Sequence, residues 1–211
     1  MLAHVDPEIL CQREPLADED NALGPWMEAI KALTPSVELE ASCDTEFCCS
    51  EPALPSLKLP ADASGQACRE NVAANRPSLD HVEVGIDRGR FQLAELRGPD
   101  GYDGDLETLL GLRDLVRLRN HYVCVLATDG EGAAAGRVLL RSLTMTEMLL
   151  HGDGYVLHFL MAVGLRGSVL SSIREFAFLR GAPAKETTEL LAALARDVNL
   201  GAWQARSVRR D

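Results

Sequence analysis

Between Asp105 and Val198 the chain repeats one pattern, in which apolar residues recur three and four positions apart and short Gly- or Asp-containing turns interrupt them. Residues at that spacing share one face of an α-helix. Leu109, Leu112, Val116, Val123 and Leu126 predict the inner side of a long helix, with Glu107, Asp114, Arg117 and His121 on its polar side. Asp103 or Asp105 caps its start, and Asp129-Gly130 provides a left-handed stop. A second helix over 133–150 turns Leu139, Leu140, Leu143 and Leu150 inward and ends at His151-Gly152. The third, from Tyr155 to Arg180, is apolar on every side up to Leu165. It is therefore expected to be the most enclosed element, with Leu160 central and buried. Gly164, Gly167, Ser168 and Ser171 give that helix small positions where a neighbour can come close. Pro183 opens a fourth helix, with Leu190, Leu191 and Leu194 facing in. Turns this short make successive helices antiparallel. The fold expected is all-α: antiparallel helical hairpins, as a bundle or short solenoid.

The N-terminal third reads differently. Gly24 and Pro25 open a short helix whose stripe is Trp26, Ile30 and Leu33, and Thr34-Pro35 stops it. Over 36–61 there is no period, and Pro52, Pro55 and Pro60 make it a long Pro/Cys-rich loop. Little apolar surface offsets its ordering, so it is expected to be the least ordered internal part. A helix follows over 62–74. Pro77 then opens another with Leu79, Val82 and Ile86 buried, Asn75 as its cap, and Gly85 and Gly89 weakening its end. Arg90 to Leu96 reads as extended. The chain divides into an N-terminal region, 1–98, containing the loop 36–61, and a helical-hairpin region, 99–211, as two units or one continuous fold.

Leu126-Ala127, Gly130, Ala134 and the Leu-rich run after them resemble the inter-helix corner of a tetratricopeptide-type hairpin, without that family's full signature or a fixed repeat period. The stretch from Leu106 to Ala195 is also similar to the helical-hairpin tails of large, uncharacterised bacterial proteins with no assigned activity. The shared order is a Leu/Arg helix, a Gly-containing turn, an Ala-rich helix, a long apolar helix and a Pro-opened one. The helix from Asn21 to Leu33 fits their N-terminal part. The resemblance implies an αα-hairpin fold and carries over no catalytic residue.

Composition narrows the function classes. Only 5% of residues are aromatic, so the core is built from Leu, Val and Ala, which favours helices. A formal net charge of -11 argues against nucleic acid as partner, and Arg206, Arg209 and Arg210 form the one basic cluster. The apolar run Tyr155 to Leu165 is short of the ~20 residues of a membrane span. Met1 to Cys11 lacks the apolar core of a signal peptide. The expectation is a cytoplasmic chain, or an exported one if the true start lies upstream of Met1.

Candidate chemistry is sparse. Cys124 sits among apolar neighbours and reads as a small buried hydrophobe. Cys43, Cys48, Cys49 and Cys68 form the sharpest constellation, C-x4-CC-x18-C. Zinc sites use closely paired thiolates that point at one tetrahedral ion, and no second pair is present here. Disulfides stapling the loop, or incidental thiols, fit the same residues. The run Asp100, Asp103, Asp105, Glu107 satisfies no register of a calcium-binding EF-hand loop and reads as a capped turn. His4, His81, His121, His151 and His158 show no metal-ligand spacing. His121 is expected to be solvated, His151 to complement a helix end, and His158 to lie in the core. Two function classes follow. One is a non-enzymatic helical interaction or scaffold module with a protein partner and no cofactor. The other is a metal- or thiol-dependent protein using the cysteine-rich loop with His81 or His121.

Overall fold

The computed structural model describes residues 16–34, 57, 59, 61–93, 101–152, 156–178 and 185–192. Of the described residues 82% are helical and none lies in a strand, which establishes the all-α fold. The helices are α1 (Leu23–Lys31), α2 (Ala63–Ala74), α3 (Arg76–Arg88), α4 (Gly101–Thr128), α5 (Gly132–His151) and α6 (Val156–Phe178). A further helical segment covers 185–192.

Local chemistry sets the helix ends. Asp62 caps α2, its side chain accepting hydrogen bonds from the Ser64 and Gly65 amides at 3.0 and 3.4 Å. Pro77 sits in the first turn of α3, which ends at Gly89 with φ 73°. After α4, Gly130 takes φ 81°, and the Glu131 amide donates to the Leu126 carbonyl at 2.8 Å. Asn75 occupies the N-cap position of α3 as expected, but its side chain makes no capping hydrogen bond. Its Nδ2 donates to the Asn71 and Thr34 carbonyls, and its Oδ1 accepts from the Thr34 amide at 2.7 Å. A long-range clamp has taken the side chain away from the helix start.

Core packing joins both ends of the chain. One buried cluster contains Trp26 of α1, Val82 and Ile86 of α3, Leu112 and Val116 of α4, Leu139 of α5 and Ile173 of α6. Residues on both sides of position 98 thus share a single core. Gly85 lets α1 lie against α3, because a Cβ there would collide with the Trp26 indole, whose Nε1 donates to the Val82 carbonyl at 3.3 Å. Gly111 does the same for α1 and α4, where a Cβ would meet Ile30 at 2.7 Å. Both glycines are contact devices. The segment read as extended, within 90–93, makes an isolated parallel bridge between Asn21 and Arg90. It carries Phe91, whose ring lies 5.1 Å from Trp26 and 5.5 Å from His158, joining α1 to α6.

The expectation for α6 needs correcting. Ala162 and Leu165 are buried as predicted, and Val169, Ile173 and Phe176 continue the buried face, yet Leu160 is 59% exposed. The α4–α5 hairpin encloses one side of α6, and no described element covers the other. An all-apolar sequence permits burial on every side without supplying the neighbours. In the segment 185–192, Leu190 is buried but Leu191 is half exposed, and Leu194 lies outside the described residues.

Candidate functional site

The face of α6 left open is the most distinctive surface of the molecule. Leu157, Phe159, Leu160 and Val163 are 53, 52, 59 and 47% exposed, side by side on the first two turns. Gly164 and Gly167 continue the face, and a Cβ at either would meet nothing within 4 Å. Asn120 of α4 donates to Ser168 of α6 at 3.3 Å, setting the register between those helices. Two successive antiparallel turns make α4 and α6 run the same way, so Leu106 and Leu110, 48 and 41% exposed on α4, stand at the same end as Leu157 and Leu160. Large apolar side chains exposed in one region mark contact surfaces, whereas isolated ones carry no meaning.

The residues singled out for chemistry do not assemble. Cys68 lies on α2 and is 3% exposed, so it is a packed helix residue and not part of an accessible loop. Cys43, Cys48 and Cys49 lie outside the described residues. Cys124 is half-buried against the main core. Among the described residues no group of three His, Cys, Asp or Glu side chains is placed to hold a metal ion. Glu107 stands exposed; Asp100 and the side chains of Asp103 and Asp105 are not among the described residues. His81 and His151 are exposed, on α3 and at the end of α5. His121 is half-buried and not solvated as expected; burial first, and then the nearby Arg117 charge, hold its pKa below the ordinary histidine value. His158 is a core residue, 2% exposed, and burial lowers its pKa.

A depression of about 320 Å3 lies between the start of α2 and the end of α4, lined by Leu59, Asp62, Gln66, Arg69 and Thr128. Its polar groups are committed elsewhere. Asp62 caps α2, Arg69 pairs with Asp129 at 2.6 Å, and the Thr128 hydroxyl accepts from the Leu59 amide at 2.9 Å. Nothing there converges on a substrate.

The strongest polar constellation was not visible in the sequence. Arg119, 1% exposed, points from α4 toward Glu83 of α3, and Arg141 of α5 binds the second oxygen of the same carboxylate. Arg119 also donates to the Ser142 hydroxyl at 2.8 Å and the Val138 carbonyl at 3.2 Å, while Arg141 reaches Asp87 at 2.6 Å. Burial pulls the Arg119 pKa down and Glu83 opposes that pull. Every charge has a partner, so the arrangement is a three-helix clamp with no vacancy for an anion.

Among the described residues no helix is long and apolar enough to cross a membrane. No family model, curated protein or solved structure matches this chain.

Proposed function

We propose that the protein is a non-enzymatic helical interaction module, and that the open face of α6 is its contact surface. The observation that carries this reading is the exposure of Leu157, Phe159, Leu160 and Val163 on a helix whose opposite face is fully packed. Such a patch loses free energy to water at roughly 25 cal/mol per Å2 of apolar area, which a partner recovers on docking. The surface is also well positioned to act: α6 is held by the α5 hairpin and the Phe91–His158 stack, so the patch sits on a rigid element.

The test is site-specific photo-cross-linking. A benzophenone amino acid replacing Leu160 should trap a polypeptide in cells expressing the full chain, while one replacing exposed Val84 on α3 should trap far less. Equal, diffuse labelling from both positions would remove the argument for this surface.

A further inference from the structure

We propose that His158 is a proton-operated latch: its neutral ring pins the first two turns of α6 against Phe91, and protonation frees those turns while the rest of the helix stays docked. The latch is a property of the single chain and operates whether or not a partner meets the open face.

Burial along α6 locates it. From Leu157 to Gly164 the buried side chains are His158 and Ala162, with Met161 half-buried beside them. Past that point Leu165, Val169, Ile173 and Phe176 bury an apolar side chain in every turn. Ala162 contributes one methyl group, so the start of the helix depends on the imidazole more than on any other side chain. That ring is 2% exposed and lies on Phe91, the centroids 5.5 Å apart and the planes 20° from parallel. Phe91 is itself held from other sides, by Trp26 at 5.1 Å and by Gly152, where a Cβ would come within 2.5 Å of the Phe91 ring. Phe91 is the fixed part, and the first turns of α6 are the part that can leave.

Proton chemistry sets the direction. The Nε2 atom of His158 is buried without a hydrogen-bond partner. A neutral imidazole tolerates that as a bare acceptor, whereas an imidazolium places a donor and a charge there with nothing to receive either. Among the described charged residues of the neighbouring elements, Arg90, Glu107 and His151 are exposed, and Glu147 of α5 pairs with Arg166 of α6 at 3.5 Å. Attraction to the Phe91 face is small beside the cost of an unpaired buried charge. Burial lowers the His158 pKa, so the released turns take up the proton before the docked ones do. Once released, the ring titrates near the ordinary ~6.5, and the open population rises by about tenfold between about pH 7.5 and 5.5.

Amide-resolved hydrogen exchange by NMR, corrected for the intrinsic effect of pH, tests the latch at about pH 7.5 and 5.5. The amides from Leu160 to Gly164 should exchange through a local opening. Their exchange should be faster than that of Leu112 and Val116 in the core, and unaffected by low urea because little surface is exposed. Protection at Leu160 to Gly164 should fall about tenfold between the two pH values. His158→Leu and His158→Gln, neither of which takes up a proton, should lose that fall. Exchange at the core rate with the core's urea dependence overturns the latch, because those turns then open only with the whole molecule. Wild-type protection equal at both pH values overturns it too, as does a fall of the same size in either variant.

Discussion

Glu83 holds more of this molecule together than its position on the sequence suggests. Its carboxylate faces two guanidinium groups, and one of them, on Arg119, has no access to water. Removing one partner of a buried pair strands the other charge, which costs far more than the pair itself contributes. Glu83→Ala should destabilise by about 3 kcal/mol in a urea titration, the low end for such pairs because the carboxylate side of this one reaches solvent. Arg119→Met, which removes the buried charge and keeps the volume, should cost much less. A second prediction concerns acid. His158 has its pKa lowered by burial, so the unfolded chain takes up a proton first as pH falls. The sign follows: stability is intact above the ordinary histidine value of ~6.5 and declines as pH drops through it toward the lowered folded value. His121 shifts the same way and adds to the decline. Melting temperatures measured between about pH 7.5 and 5 should fall, and His158→Leu should flatten part of that slope.

For the helices, the contrast inside α6 is the sharpest check. Ile173→Ala should cost ~2–5 kcal/mol, the range for a truncated core side chain, whereas Leu160→Ala should stay within about 0.5 kcal/mol in the monomer. Equal losses would mean that the open face is packed. Much of this level was readable from the residues. A helix expected over 133–150 spans Gly132–His151, because caps and turn glycines act within a few residues of the boundary they set. The inner stripe of α4 is buried at Leu109, Leu112, Val116, Val123 and Leu126, as the spacing predicts. What was not readable depends on distant partners. Arg119 sits between a leucine and an asparagine and looks like any surface arginine; its burial depends on Glu83, 36 positions earlier. Leu160 looked central because hydrophobicity reports what a side chain prefers, not whether a neighbour exists to satisfy it. His121 went astray for the same reason.

Among the described residues one main core is threaded by elements from both sides of position 98, with a smaller cluster of Val72, Leu79 and Leu118 beside it, and α4 touches every other named helix. The shift at residue 98 from proline-punctuated to purely helical sequence marks a change of style and not a division of the core. The clamp gives that fact a consequence for anyone handling the protein in pieces. A fragment beginning at residue 99 would inherit Arg119 without Glu83, the lining of α4 without Ile30, and His158 without the Phe91 ring that stacks on it. Expressed alone, residues 99–211 should form helices yet melt without a cooperative transition by calorimetry. Mixing them with residues 1–98 should restore one. The apparent linker is therefore a poor place to cut: the later hairpins contain a charge that only the earlier helices can neutralise.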